Sequence, residues 1–231
     1  MAFAIVDFRM PDNIKNALEN EGFSVLSMPP FLRLSEPVSS HPDMLMLLHG
    51  STVYTYKEYR QIAKREFDIL EKNGIQIICE DMTPSPDYPK DIAFNCFFLG
   101  DKAFGRADSL APCVHKIADR LINVRQGYSA CSTVVLDSSH IITEDKSIAD
   151  AAEREGVSIC LIDRGGVALS PYEYGFIGGA SGVFGKTVYF TGSIEAHTCY
   201  ERIKNFITEA GMRVLSLSNA PLYDFGKILF V

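Results

Sequence analysis

The residues of this sequence best suited to chemistry are one cysteine and two histidines beside polar loops. Cys131 follows the polar segment QGYSA, where a strand is predicted to begin. A thiol becomes a nucleophile when a base or a positive charge lowers its pKa, and His41 or His197 could supply that base. We therefore predict Cys131 as nucleophile and either histidine as general base. The alternatives are a structural thiol and, for His197, a residue that only opens the last helix.

The tripeptide His41-Pro42-Asp43 places a base and an acid on either side of a proline. Proline restricts the backbone between them, so the pair could act together, with Asp43 orienting the base or binding substrate. The alternative is a loop-to-strand cap in which Asp43 accepts backbone N–H bonds.

Further candidates for substrate binding stand where other strands are predicted: Asn95, Gly178, Gly179 and Asp224. The paired glycines, predicted to lie on a strand, would leave room for a ligand or a neighbouring backbone. Asp224 precedes the last apolar run of the chain, and its alternative role is to cap the turn before that run.

Composition excludes several other classes of function. The net charge is −7 with dispersed acids, so no basic stripe exists for nucleic acid. The six cysteines show no C-x-x-C or zinc-finger spacing, which predicts free thiols, no metal and no cofactor. No apolar run approaches the about 18 residues of a membrane span, and MAFAIVDFRMPD lacks the features of a secretory leader. We expect a soluble cytoplasmic protein with a small polar ligand.

The elements that must position these residues form an internal repeat. Residues 14–22, 148–156 and 203–211 share the pattern I-x-x-(A/F)-(L/A/I)-x-x-x-G, and 69–74 keeps its last part. Each segment predicts a helix with one apolar face that ends at a glycine, and a β-rich run follows it.

Two short strands with a tight turn precede most of these helices. They are clearest in DMLMLLHGSTVYTY, STVVLDSSHIITED and GFIGGASGVFGKTVYFTG, and DIAFNCFFLGDKAFGR is a weaker copy. The predicted unit is ββαβ. The first unit lacks a strand, which the C-terminal GKILFV would supply by pairing with AFAIVDF. Residues 1–231 thus predict an α/β class domain of five units closed into a propeller.

The alternative is an open doubly wound sheet, which predicts one strand per helix rather than two or three. In the ring, the innermost strand of each unit begins at one mouth of a central channel. The polar residues at those starts would therefore converge.

The chain resembles the pentein fold, the α/β propeller of the guanidino-group-modifying enzymes. The resemblance rests on HPD at 41–43, QGYSACS at 126–132, YGFIGGASG at 174–182 and the Asp-Phe-Gly near the end. In detail the chain is most similar to a bacterial family of that fold with no established activity. The resemblance implies the propeller fold and a small ligand bearing a guanidine or amine group.

The sequence departs from the pattern of these enzymes in two places. Their nucleophilic cysteine opens the closing strand, where this chain reads DFGKILFV and carries Lys227. Their substrate-clamping acids lie five and six residues beyond the Pro-Asp aspartate, where Leu48 and His49 stand, so only Asp43 carries over.

The expected function is a cysteine-dependent hydrolase or transferase acting on a small amidine, guanidine or amide compound. The alternative is a non-catalytic binding or scaffold protein, like the ribosome anti-association factor of the same fold. Whether the protein is an enzyme, and whether it forms a homodimer, stays open at this point.

Overall fold

The ββαβ repeat predicted from the sequence occurs five times in the computed structural model, which describes residues 2–231. Within these residues the strands are β1 (Phe3–Asp7), β2 (Ser24–Met28), β3 (Met46–His49), β4 (Thr52–Tyr56), β5 (Gln76–Glu80), β6 (Phe97–Leu99), β7 (Lys102–Gly105), β8 (Arg120–Asn123), β9 (Thr133–Asp137), β10 (His140–Thr143), β11 (Ser158–Leu161), β12 (Ser181–Phe184), β13 (Thr187–Phe190), β14 (Arg213–Ser216) and β15 (Leu229–Phe230). The α-helices are α1 (Asp12–Asn20), α2 (Pro42–Leu45), α3 (Lys57–Ile62), α4 (Lys64–Lys72), α5 (Pro112–Ile117), α6 (Lys146–Arg154) and α7 (Tyr200–Glu209).

The strands form five separate three-stranded sheets with one topology. Their orders are β15-β1-β2, β3-β4-β5, β6-β7-β8, β9-β10-β11 and β12-β13-β14. In each sheet the middle strand pairs antiparallel with an inner strand and parallel with the strand that follows the helix. This arrangement excludes the open doubly wound sheet and confirms the five-unit pentein propeller.

Four helices stop where the repeat predicted, at a glycine in the left-handed region. The φ angles are +94° at Gly22, +87° at Gly74, +77° at Gly156 and +70° at Gly211. A side chain is strained at such a φ, so glycine ends each helix and turns the chain into the next strand. The longest helix, α7, has ten residues, and no helix among residues 2–231 is long and apolar enough to span a membrane.

The two ends of the chain close the ring as predicted. Ala4 pairs with Phe230 and Ile5 with Leu229 in an antiparallel register. Phe3 and Val231 extend the pairing, because the Phe3 amide donates to the Val231 carbonyl at 2.6 Å and the Val231 amide donates back at 3.0 Å. The C-terminal run therefore supplies the inner strand that the first unit lacks.

The inner strands surround a common axis. β12 contacts both β9 and β15, and β9 contacts β6. The ring of His49 on β3 lies 4.3 Å from that of Phe98 on β6. The residues just before each inner strand consequently meet at one end of the ring. The antiparallel middle strands end there too.

Two segments differ from the sequence prediction. Residues 42–45 form the short helix α2 instead of the start of a strand, with Pro42 in the first helical position that proline favours. Gly178 and Gly179 lie before β12 rather than on it. The Gly179 amide donates to the Cys131 carbonyl at 2.9 Å, which holds this segment in a turn against the neighbouring unit.

We expect Gly226→Ala to destabilise the ring closure. Gly226 has a φ of +68°, and a Cβ added there would overlap His41. The left-handed backbone and the overlap together should lower the free energy of unfolding by about 2–5 kcal/mol. Gly50→Ala is the matched control, because Gly50 has a φ of +58° with open space around it. Urea denaturation of both variants measures the difference, and equal losses would contradict the packing argument.

Candidate functional site

Two cavities lie at the centre of the ring. The channel-mouth pocket, about 280 Å³, opens at the end where the inner strands begin, and its lining residues are Val38, His41, Met44, Tyr128, Cys131, Leu169, Tyr172, Glu173, Tyr174, Phe176 and Asp224. The inner cavity, about 180 Å³, is lined by Asp43, Met46, Leu47, Leu48, Phe94, Cys96, Phe97, Phe98, Ala130, Val135, Lys227 and Leu229. Cys131 lines the first and Asp43 the second, so this pair lies between the two.

Cys131 and Asp43 form a buried hydrogen-bonded pair. The Cys131 Sγ donates to Asp43 Oδ2 at 2.8 Å, and the two residues are only 3% and 2% exposed. Burial raises the pKa of the thiol well above its ordinary value, and the negative charge of Asp43 adds to this. Burial also raises the pKa of Asp43 to about 6, although the hydrogen bond from the Cys131 thiol and the charge of Lys227 oppose the rise. Near neutral pH the pair is therefore a thiol beside a carboxylate.

Asn95 holds the thiol in place. Its Nδ2 donates to Cys131 Sγ at 3.0 Å, while its Oδ1 accepts from the Ala130 and Cys131 amides at 2.8 and 3.3 Å. Both ends of the amide thus contact the protein itself. This geometry suits a positioning role for Asn95, where the sequence suggested substrate binding.

Lys227 lies on the inner-cavity side of the pair. Its Nζ donates to the carbonyls of Ala130 and Thr133 at 3.1 and 3.0 Å. Burial lowers the pKa of this ammonium, whereas the negative charge of Asp43 opposes that change. The cation therefore braces the turn that carries Cys131 and partly compensates the charge of Asp43.

His41 is buried between two carboxylates. Its Nε2 lies 3.8 Å from Asp7 Oδ2 and its Nδ1 lies 3.8 Å from Asp224 Oδ1, both longer than a hydrogen bond. Burial lowers the pKa of the imidazole, although both acids oppose this, and Nε2 has no partner among residues 2–231. Arg9 already pairs with Asp7 at 2.6 Å. Burial thus favours the neutral imidazole, whose Nε2 faces Asp7 and whose Nδ1 faces Asp224 at the pocket.

Asp224 enters the pocket through space that Gly179 leaves. Its Oδ1 accepts from the Gly226 amide at 2.8 Å and its Oδ2 from the Phe176 amide at 2.9 Å. A Cβ at Gly179 would overlap this carboxylate, and one at Gly178 would lie 2.5 Å from the carbonyls of the Cys131 turn. The room predicted at these glycines is occupied by the protein. Burial raises the pKa of Asp224, because the charged form is poorly solvated.

His197 does not line the channel-mouth pocket. Its Nδ1 accepts from the Cys199 amide at 3.0 Å, and its ring packs against Gly166. Burial lowers its pKa, which Asp163 opposes. The structure therefore places Asp43 against the thiol and His41 in the pocket that the thiol lines, whereas His197 does not line it. Among residues 2–231, no group of three or more His, Cys, Asp or Glu side chains could hold a metal ion.

An aromatic wall, which sequence reasoning missed, lines one side of the pocket. It consists of Tyr128, Tyr174 and Phe176, with ring centroids 6.1 Å apart between Tyr128 and Phe176 and 6.0 Å between Tyr174 and Phe176. Tyr172 and Glu173 are exposed at the entrance. The aromatic density of YEYGF was visible in the sequence. Its placement over the pocket depends on the long connection between β11 and β12.

Glu144 is a second group that sequence reasoning missed. It is buried directly after β10, and neither carboxylate oxygen has a hydrogen-bond partner in the described residues. Burial raises its pKa to about 8, the charge of Asp224 adds to this, and Arg164 opposes it. The available signal was its position, because middle strands end at the mouth where inner strands begin.

We expect Glu144→Gln to flatten the pH dependence of stability. The folded protein binds the Glu144 proton more tightly than the unfolded chain, whose pKa is near 4.5. Stability is therefore lost as pH rises from the unfolded to the folded pKa. The variant should exceed the parent by on the order of 2–4 kcal/mol at about pH 8.5, and by little at about pH 5. Any remaining slope comes in part from Asp43 and Asp224, which shift in the same direction.

Denaturant unfolding at several pH values measures this difference. Glu153 is exposed on α6, so Glu153→Gln makes the same chemical change without altering a buried carboxylate and is the control. A parallel pH dependence of the parent and Glu144→Gln would contradict the assignment.

Solved structures with the same fold include guanidino-group-modifying enzymes, which confirms the resemblance stated from the sequence. A dimethylarginine dimethylaminohydrolase variant, in an adduct with S-methyl-L-thiocitrulline, matches with a TM-score of 0.54 and 13% identity, over 94% of this chain and 91% of that one. A mutant of the Pseudomonas aeruginosa enzyme, complexed with citrulline, matches with a TM-score of 0.55 and 12% identity, over 94% of this chain and 91% of that one. The amidinotransferase SxtG of Microseira wollei, from saxitoxin biosynthesis, matches with a TM-score of 0.57 and 12% identity, over 90% of this chain and 73% of that one.

At these identities the likeness establishes the fold and leaves the activity open. No functionally curated protein matches the sequence significantly. The sequence does match a family profile over residues 5–229, nearly its whole length. The chain belongs to the family of unknown function DUF6873.

Proposed function

We propose that the protein binds a small guanidine- or amine-bearing molecule in the channel-mouth pocket. The observation that carries this proposal is the combination of two carboxylates, Asp224 and Glu173, with an aromatic wall in one cavity. Carboxylates pair with cations, and aromatic faces attract them as well. The ligand-bound neighbours support a small molecule at this fold, since they hold citrulline and S-methyl-L-thiocitrulline.

The neutral imidazole of His41 adds a directional contact to this pocket. Its Nδ1 lies 3.8 Å from the Asp224 carboxylate that lines the pocket, whereas its Nε2 faces Asp7, which does not line it. A guanidinium or ammonium group beside Asp224 would offer N–H donors within the same cavity. The proposed binding thus uses charge, ring faces and one free nitrogen.

We expect the pocket to prefer a cation over a neutral molecule of equal shape. Butylguanidine and butylurea differ mainly in charge, so calorimetric titration of the two should show at least about tenfold tighter binding of the guanidine, equivalent to about 1.4 kcal/mol. Glu173→Gln should weaken the binding of butylguanidine by only about threefold, because the Glu173 charge is exposed and partly screened. The control Glu153→Gln, on another face, should leave it unchanged. Equal binding of guanidine and urea, or binding of neither, would overturn the proposal.

A second candidate function is cysteine-dependent hydrolysis or transfer at the bound amidine carbon. The observation in its favour is the Cys131 thiol, which lines the pocket and donates to Asp43 at 2.8 Å. The Sγ–C bond would form as the thiol proton passes to Asp43. Return of that proton to the leaving nitrogen would release ammonia or an amine and leave a thioimidate (an isothiouronium from a guanidine) for attack by water or an acceptor amine. Asp43 then serves as general base, the role the sequence suggested for a histidine.

The alternative, a ring that binds without chemistry, is favoured by the raised pKa of the Cys131 thiol. Proton transfer from this thiol to Asp43 is uphill at rest. A cation bound in the pocket lowers that cost, because its charge stabilises the thiolate. The two candidates therefore separate on whether an amidine ligand activates Cys131.

We expect 2-chloroacetamidine to alkylate Cys131 with a rate that depends on Asp43. The reaction forms an S–C bond, releases chloride and passes the thiol proton to Asp43. Asp43→Asn should slow it at least tenfold, the lower range for removal of a general base. Mass spectrometry locates the adduct, and exposed Cys79 reports the intrinsic reactivity of an unassisted thiol. Modification of Cys79 alone, or an unchanged rate in Asp43→Asn, would contradict cysteine-dependent catalysis and leave binding without chemistry as the function.

A further inference from the structure

We infer that the ligand is an aromatic monocation that carries no carboxylate group. The inference rests on the proposed function, because it concerns the same pocket. It separates this protein from enzymes of the fold that hold amino acids such as citrulline, whose α-carboxylate requires a partner.

The first argument is the absence of a cation to meet a carboxylate. No Lys or Arg lines the channel-mouth pocket, as far as residues 2–231 are concerned. The guanidinium of Arg9 is engaged by the Asp7 carboxylate and the carbonyls of residues 36 and 37. Lys227 lines the inner cavity and donates to two backbone carbonyls. A ligand carboxylate would therefore find no counter-charge in the pocket.

The second argument is the charge already present. Asp224 and Glu173 are both acids, and the imidazole of His41 is flanked by Asp7 and Asp224. A carboxylate placed among these groups would be desolvated and repelled by like charges. The neutral state of His41, which burial favours, removes the remaining candidate for an ion pair.

The third argument is the shape of the remaining surface. The rings of Tyr128 and Phe176 line the pocket, and Val38, Met44 and Leu169 complete an apolar lining. Tyr128 is anchored by a 2.7 Å hydrogen bond from its hydroxyl to Asp91. Its ring is held in place, and a fixed aromatic wall favours a flat apolar body through stacking and burial of apolar area. The cationic end then lies toward Asp224 and the apolar body along the wall.

Matched ligands test the inference directly. 2-Phenylethylguanidine and N-amidinophenylalanine differ by one carboxylate, and butylguanidine lacks the aromatic ring. Calorimetric titration of the full chain should give at least tenfold tighter binding of 2-phenylethylguanidine than of either other compound. Phe176→Leu should reduce that advantage over butylguanidine, whereas Phe8→Leu, at an exposed ring that does not line the pocket, should not.

Reversal of the charge at the entrance gives a second test. Glu173 is exposed and makes no hydrogen bond or ion pair in the described chain, so Glu173→Arg should leave the fold intact while supplying the missing counter-charge. The variant should bind N-amidinophenylalanine more tightly and 2-phenylethylguanidine more weakly than the parent.

The outcomes distinguish this inference from the proposed function. If N-amidinophenylalanine binds the parent as tightly as 2-phenylethylguanidine does, the carboxylate-free class is wrong while cation binding stands. If butylguanidine equals 2-phenylethylguanidine, the aromatic part is wrong. If no guanidine binds, the proposed function fails and the inference fails with it.

Discussion

Pairing of the last strand with the first is the constraint on which the rest of the molecule depends. β15 supplies the inner strand of the first unit, and its pairing with β1 places Asp224, Gly226 and Lys227 at the mouth where the other inner strands begin. The Asp43 amide donates to the Gly226 carbonyl at 3.1 Å, which ties the second unit to the closure. Without that pairing, neither the pocket nor the environment of the Cys131 thiol would exist.

The closed mouth concentrates ionisable groups that the fold leaves poorly solvated. Asp43, Glu144 and Asp224 all have raised pKa values because of burial, while the pKa of His41 is lowered for the same reason. Shifts of this kind cluster at sites that bind or transform ligands. The acids outnumber the cations free to face the pocket, and the proposal of a positively charged ligand rests on this balance.

This chain shares its architecture with enzymes of the same fold and differs from the pattern it resembles in the side chains at the mouth of the ring. In the pattern that the sequence resembles, a cysteine opens the closing strand. In this chain Lys227 lies just before β15, and the thiol of Cys131 lies just before β9. Lys227 bonds to the carbonyls that flank Cys131, so the replacement is built into the same turn. The fold alone therefore does not determine the activity, which depends on the side chains at the mouth of the ring.

The sequence by itself determined the repeat, because helices that end at glycine and strands with apolar side chains are local features that need no distant partner. It also predicted the closure and singled out Cys131, His41 and Asp43. Only the tertiary structure decided which groups meet: Asp43 rather than an imidazole contacts the thiol, and His197 lies elsewhere. Glu144 and the aromatic wall came from the structure as well. Contacts between units and burial depend on how the ring packs, and burial is what shifts the pKa values that govern the site.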